Sequence, residues 1–211
     1  PDPASGMLVR FIGLCGLLFL AACGAEPVWA PDEEVAARRY VHSGPPEIAL
    51  ITVISNRTEE GSHSALLING SERVIFDPAG TWYHPWAPER NDVHFGITPL
   101  IEQRYVDYHT RESWRTVVQR VDVAPEVAER AMQLAKAYGA VPKAHCAIST
   151  STILQQLPGF EHIPRSYAPR RVMDGFGQVP GVTSKEYRSD RPDNNRHLLD
   201  AQVSEAQASG S

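Results

Sequence analysis

Basic residues and cysteines are both scarce in this chain. Lys and Arg total 20 against 25 Asp and Glu, which gives a formal net charge of −5, and they form no long run. Because nucleic-acid phosphates are held by a basic face, we expect no nucleic-acid partner. There are three cysteines, Cys15, Cys23 and Cys146. The sequence also lacks an internal repeat, and the length left after a signal segment suits one domain with its own core.

The first thirty residues have the layout of a secretory signal peptide. From Met7 they carry one positive charge at Arg10, an apolar run over 11–20, and the small residues Ala21 and Ala22. The run is shorter than the roughly 20 apolar residues that a transmembrane helix needs. We therefore predict a signal peptide over residues 7–22. Residues 1–6 precede the first methionine and lack the positive charge of such a segment, so we expect an added or over-long start there.

The segment Leu20-Ala21-Ala22-Cys23 resembles the lipobox of bacterial lipoproteins. The resemblance implies that Cys23 is lipidated, which makes membrane lipid the first expected partner. It implies a domain that faces the periplasm, with the outer membrane favoured because Gly24 follows the cysteine. Ordinary secretory cleavage near Ala22, or an anchor that is never cut, are the alternatives. A cell-wall or envelope protein is a further candidate partner.

Lipidation of Cys23 would leave Cys146 as the only free thiol of the mature chain, because Cys15 lies in the predicted signal peptide. Cysteines in an oxidising compartment are usually paired. A single remaining thiol is therefore either buried and inert or reactive. Both interpretations stay open, since free cysteines are among the most buried residues.

The remaining pattern predicts an α+β fold in which a small antiparallel sheet packs with helices. Residues 24–46 contain three proline breaks and are expected to form a tether after Cys23, with a short helix at 32–40. The domain should span 47–183, and the polar tail 184–211 is expected to be disordered. Apolar runs and caps predict strands at 48–55, 63–69, 72–77 and 114–121, and helices at 98–109, 124–138 and 145–157.

Three residues form a candidate nucleophilic site. Cys146 opens a predicted helix, where unpaired N–H groups favour a thiolate. His63 begins a predicted core strand after a glycine-containing loop, so its ring could serve as the base that such a thiol needs. A tight turn at Asn69-Gly70 would place residues 63 and 76 near cross-strand register. Asp77 would then lie close to His63 and could orient its imidazole.

The chain places a histidine on one strand, a polar group on the next strand and a cysteine late in the sequence. In this order it resembles the circularly permuted papain-like proteins, which are related to NlpC/P60 peptidases and lecithin:retinol acyltransferases. The stretches that carry the resemblance are His63-Ser64-Ala65-Leu66-Leu67 and His145-Cys146-Ala147-Ile148-Ser149-Thr150. It implies acyl transfer or hydrolysis of an amide or ester through a thioester, on cell-wall peptides or lipid acyl groups. Ala147 replaces the usual Ser or Thr, and His145 stands where Asn is frequent. A non-catalytic lipoprotein that binds an envelope complex, with Cys146 buried, is the alternative.

The histidines His84, His94, His109, His162 and His197 are not expected to form a site. His84 lies in a loop with Trp82, Tyr83 and Trp86 that should fold over its own sheet. Asp92 and His94 have the spacing of a metal pair but lack a third ligand at helpful spacing, so we expect no metal and no cofactor. The histidines expected at the surface are His109, His162 and His197.

Overall fold

The computed structural model describes residues 24–209. The predicted signal peptide, Cys15, the lipidation site Cys23 and residues 1–6 lie outside that range, so the expectations about them stay predictions. Within residues 24–209, no helix has the length and apolar composition needed to cross a membrane.

The described residues form six helices and seven strands. In chain order these are α1 (Asp32–Arg38), β1 (Glu47–Ser55), β2 (Gly61–Asn69), β3 (Arg73–Phe76), β4 (Glu89–Arg90), β5 (Val93–His94), α2 (Pro99–His109), β6 (Trp114–Asp122), α3 (Pro125–Tyr138), α4 (Cys146–Leu154), α5 (Pro169–Phe176), β7 (Thr183–Tyr187) and α6 (Asn195–Ser209). The strands make one antiparallel sheet in the order β4-β5-β3-β2-β1-β6-β7. The predicted α+β class is confirmed, and the sheet is larger than expected because β4, β5 and β7 join it.

Strand β1 explains why the sheet lies between two layers of helices. Residues 48–54 are all buried, although successive side chains of a strand point to opposite faces. Ile48 and Leu50 belong to the apolar core on one face, and Ala49 and Ile51 belong to the core on the other. A continuous apolar run of this kind requires cover on both sides.

Each face of the sheet has its own helices. Buried residues of α3, α4 and α5 complete the first core, and buried residues of α2 and α6 complete the second. Helix α2 begins as its sequence predicts, since the Thr98 hydroxyl accepts a hydrogen bond from the Ile101 N–H and Pro99 occupies the first turn. We name the two faces of the sheet the α4 face and the α2 face.

The turn between β2 and β3 differs from the prediction. Asn69 pairs with Arg73 and Leu66 with Phe76, so the loop spans the three residues 70–72 and the pairing moves by three residues from the expected register. The Glu129 side chain on α3 accepts a hydrogen bond from the Ser71 N–H. This contact from a distant helix stabilises the longer loop over the tight two-residue turn.

Residues 24–46 lie against the sheet edge instead of forming a free tether. The Ala30 N–H donates to the Glu89 carbonyl at 2.9 Å, and the Arg73 N–H donates to the Tyr40 carbonyl at 2.9 Å. The short helix of this segment is α1, which ends at Arg38. Pairing of its backbone with a sheet edge overrides the proline-rich composition that predicted a tether.

The expectation of a disordered tail over 184–211 is wrong for the part that the structure describes. Strand β7 pairs with β6, from Thr116 with Tyr187 to Arg120 with Thr183. Helix α6 buries Leu199, Gln202 and Ala206 on the α2 face. These residues form a narrow stripe on one side of the helix, and few of them are apolar. The low average hydropathy of the tail therefore gave no indication that one side of α6 is buried.

Candidate active site

The three predicted site residues meet at one end of the sheet. His63 lies near the start of β2, Asp77 directly follows β3, and Cys146 is the first residue of α4. Because β3 ends at Phe76, opposite Leu66, no described strand pairs with β2 on that side at His63. The His63 ring on the α2 face can therefore also contact Cys146, although helix α4 packs on the opposite face.

His63 and Asp77 form a close pair. The His63 Nε2–H donates to Asp77 Oδ1 at 2.6 Å, and the Asp77 side chain is fully buried while that of His63 is 16% exposed. In the observed register Asp77 follows the partner of Leu66, so it stands diagonally across from His63 on the same face. His63 and Asp77 are therefore close, as predicted. They meet through a diagonal contact, whereas the predicted tight turn would have placed them nearly opposite each other.

Tyr105 on helix α2 is a site residue that the sequence did not reveal. Its hydroxyl donates to the same Asp77 Oδ1 at 2.5 Å, and the residue is fully buried. Oδ1 therefore accepts two hydrogen bonds, whereas the buried Oδ2 has no hydrogen-bond partner among the described residues. Gly80 lies against Oδ2 so closely that a Cβ at position 80 would clash with it.

His109 also belongs to the site, so its expected place at the surface is wrong. Its ring lies parallel to that of His63, with the centroids 5.5 Å apart and the planes 7° from each other. Nδ1 donates to the Tyr105 carbonyl at 2.9 Å, one helical turn earlier. Burial lowers the pKa of His109 to about 4 even though the Asp77 charge opposes this, so the ring is neutral at pH 7.

Cys146 is 7% exposed at the first turn of α4, and the His145 side chain does not cap that helix. Burial raises the pKa of the thiol, but the hydrogen bond and charge of His63 outweigh it, together with backbone hydrogen bonds from Ser64 and Ala147. The net result is a pKa below the ordinary value. The thiol therefore has more thiolate character than a free cysteine.

The charges of the His63–Asp77 pair support that thiolate. Burial lowers the pKa of His63, but the charge and hydrogen bond of Asp77, followed by those of Cys146, raise it to about 10. Burial likewise raises the pKa of Asp77, and the His63 charge and hydrogen bond hold it far below its ordinary value. The favoured state at neutral pH is an Asp77 carboxylate and a His63 imidazolium beside a thiol whose pKa is lowered.

The start of α4 is held in place by its neighbours. Ala144, two residues before the cysteine, has a φ of 64°, a strained conformation for a residue with a side chain. Ser64 and Thr150 hydroxyls bond at 3.1 Å and tie α4 to β2. The Ser151 and Thr152 hydroxyls donate to carbonyls of the preceding turn, so their role is local and structural.

A cavity of about 230 Å³ opens beside the His63 and His109 rings, with Ser62, Gly80 and Thr81 in its wall. Near Cys146, the His145 ring makes an edge contact with Tyr167, which is largely exposed. The site therefore has solvent access on the His63 side and an aromatic surface at the start of α4.

The remaining sequence candidates do not form a site with each other. Trp82 and His84 are buried, as expected for a loop that covers its sheet. The Asp92 carboxylate accepts a hydrogen bond from the Val141 N–H at 2.7 Å, whereas His94 Nε2 lies 3.9 Å from Asp77 Oδ2. Asp92 and His94 thus contact different partners.

Comparison with known proteins adds no family. No family model, curated protein or solved structure matches this chain. The function of the site is therefore inferred from its geometry and from the sequence motifs alone.

Proposed function

We propose that this domain is a thiol hydrolase or acyltransferase that acts on an amide or ester through a thioester. Cys146 is the nucleophile, His63 the general base and acid, and Asp77 the group that orients the imidazole. The observation that carries the proposal is the position of His63, which bonds to the Asp77 carboxylate and lies close enough to the Cys146 thiol to lower its pKa. This is the arrangement that nucleophilic catalysis by cysteine requires.

The chemistry depends on the positions of the groups. Cys146 Sγ attacks the substrate carbonyl carbon, and N–H groups at the uncapped start of α4 stabilise the oxyanion. The His63 imidazolium then gives its proton to the leaving amine or alcohol as the carbon–heteroatom bond breaks. Water or an acceptor attacks the thioester carbonyl carbon and gives a proton to His63. The carbon–sulfur bond then breaks, which releases the acyl product and restores the thiolate beside the imidazolium. Asp77 stays ionised throughout.

A permuted papain-like fold is the finer assignment that we propose within the α+β class. It is supported by a histidine near the start of a central antiparallel strand, an acidic residue after the next strand, and a late cysteine that opens a helix packed on that sheet. Cell-wall peptides and lipid acyl groups are the substrate classes that this assignment suggests.

We also propose that Cys23 anchors the domain to the periplasmic side of the outer membrane. Support comes from the lipobox and from Val28 and Trp29, which lie close after it and are 44% and 66% exposed. Palmitate labelling of the full precursor in a bacterial host should be lost in Cys23→Ala and retained in Cys146→Ala. Labelling that persists in Cys23→Ala would contradict the anchor.

Trapping of an acyl-enzyme tests the catalytic proposal. Two model donors, a 4-nitrophenyl ester of an N-acetylated amino acid and one of a fatty acid, would be mixed with the protein and its intact mass followed. We expect a mass increase equal to the acyl group and release of nitrophenolate, with one donor preferred. Cys146→Ser should abolish the thioester and His63→Ala should slow its formation at least about tenfold.

An adduct of equal size in Cys146→Ala would place the acylation elsewhere and overturn the assignment. Absence of any adduct on Cys146 with both donors, in protein that is folded, would favour the non-catalytic lipoprotein. Circular dichroism on each variant supplies the check of folding.

A further inference from the structure

Three potential metal ligands converge beside the candidate thiol. The ligand atoms of His63, Asp77 and His109 all lie within 4.8 Å of one another. Two imidazoles and one carboxylate are the ligand types that Zn²⁺ and similar borderline divalent cations bind. The sequence did not predict this group, because His109 lies far from His63 along the chain and was expected at the surface.

The tautomer of His109 suits a ligand. Its Nδ1–H donates to the Tyr105 carbonyl, so the lone pair is on Nε2. Metal-binding histidines commonly donate their other ring N–H to a carbonyl or carboxylate, which fixes the ring. Tyr105 also donates its hydroxyl to Asp77 Oδ1. One residue thus orients two of the three ligands.

An independent observation is the unpartnered oxygen of Asp77. Oδ2 is buried and accepts no hydrogen bond from any described residue, and His94 Nε2 lies 3.9 Å from it. A buried carboxylate oxygen without a donor is costly unless a cation or donor can reach it. Gly80 lies against this oxygen and also lines the cavity of about 230 Å³ beside His63 and His109. That cavity provides an entry path and room for a water ligand.

We propose that His63, Asp77 and His109 bind one Zn²⁺-like divalent cation, which switches off the Cys146 thiol by occupying His63. His63 and Asp77 are already in contact, and bonds of about 2.0–2.2 Å bring ligand atoms to about 3.5 Å from each other. His109, half-buried at the cavity, is the side chain that moves inward. The proton between His63 and Asp77 leaves to solvent as the cation binds, so no other reactant is needed.

The inhibitory consequence depends on the proposed function, whereas binding itself does not. With the cation on His63 Nε2, that nitrogen can no longer take up a proton, so the ring cannot become the imidazolium that protonates the leaving group. The cation therefore slows Cys146 chemistry without contacting its sulfur.

Cobalt and zinc titrations of the untagged mature chain, after chelator treatment, test the site. We expect one Co²⁺ per chain with absorption bands of a low-coordinate site, and competition by Zn²⁺. His109→Gln should weaken binding at least about tenfold, while the exposed-histidine control His162→Gln and the variant Cys146→Ala should bind like the wild type. Unchanged affinity in His109→Gln, or a thiolate-to-cobalt charge-transfer band, would overturn the ligand assignment.

Turnover of the preferred 4-nitrophenyl donor, which needs proton transfer by His63, then links the cation to the thiol. Zn²⁺ should slow the wild-type reaction at least about tenfold and leave His109→Gln nearly unaffected. Equal slowing in both would contradict inhibition through this site. If Cys146 fails to react without metal, the proposed catalytic function fails, yet the loss of cobalt binding in His109→Gln still decides the metal site separately.

Discussion

At the residue scale, the Asp77 carboxylate is the centre of the site. Its Oδ1 receives hydrogen bonds from His63 and Tyr105, and its charge is the leading influence that raises the pKa of His63 to about 10. The acidic residue therefore sets the charge of the histidine, and through it the state of Cys146. Asp77 touches no reacting atom in the proposed mechanism and acts as a positioning residue.

Asp77→Asn should lower the pKa of His63 toward or below its ordinary value of 6.5, because an amide removes the negative charge while burial still disfavours the imidazolium. Nitrogen-detected NMR of the His63 ring across pH measures this. Asp174→Asn, which changes an exposed carboxylate on α5, should leave the titration unchanged. A His63 pKa that is the same in Asp77→Asn would show that Asp77 does not control the ring.

The sequence predicted some of these residues and missed others for a physical reason. Cys146, His63 and Asp77 could be selected because their residue types stand at a helix start and at strand ends. Tyr105 and His109 lie on the buried side of an ordinary amphipathic helix, and periodicity cannot show where a hydroxyl or a ring nitrogen points. The contact between His63 and Asp77 was expected from a turn that the structure does not have.

At the scale of elements, tertiary contacts changed what local patterns predicted. The strong runs of β1 and β6 and the helices α2 and α3 formed as expected, since their burial and end signals agree. The β2–β3 turn, residues 24–46 and the tail each differ because a distant element pairs with or packs on them. Such contacts have no signal within the segment itself.

Helix α6 provides a test of how the tail packs. Leu199→Ala should lower the free energy of unfolding by about 2–3 kcal/mol, because Leu199 is buried in the core of the α2 face. His197→Ala, two residues earlier and exposed, should change it by less than about 0.5 kcal/mol. Urea unfolding measures both. Equal, negligible effects would mean that the tail does not pack on the domain.

Asp92, in the loop between β4 and β5, should make the stability of the fold depend on pH. Burial raises the pKa of Asp92 to about 6 from 3.8, although the hydrogen bond from the Val141 N–H opposes this rise. The backbone of Asp92 has a φ of 66°. A raised folded-state pKa means that the favourable contribution is complete below pH 3.8 and is lost as the pH rises through about 6. The charged carboxylate therefore weakens the fold at pH 8.

Asp92→Asn should thus be more stable than the wild type at pH 8, by about 1 kcal/mol, and nearly equal to it at about pH 3.5, below both pKa values of the carboxyl group. The amide oxygen can still accept from the Val141 N–H, and asparagine tolerates positive φ. Thermal unfolding at the two pH values gives the comparison. A variant that is less stable at pH 8 would show that the carboxylate stabilises this loop.

At the scale of the whole molecule, the sheet between two helical layers explains how the site is assembled. His63 and Asp77 lie on the α2 face with Tyr105, while Cys146 comes from a helix that packs on the α4 face. The short β3 leaves the end of β2 open, so groups from both layers meet there. The proposed thiolate–imidazolium pair therefore requires the complete domain.

The rate of Cys146 alkylation by iodoacetamide across pH, in chelator-treated protein, measures that pair most directly. Because His63 lowers the pKa of the thiol, the wild type should react rapidly already at pH 6. His63→Ala should react at least about tenfold more slowly at that pH. Its rate should recover only as the pH rises toward the pKa of a free thiol. Alkylation of the wild type only after denaturation, or an unchanged pH profile in His63→Ala, would contradict an activated cysteine.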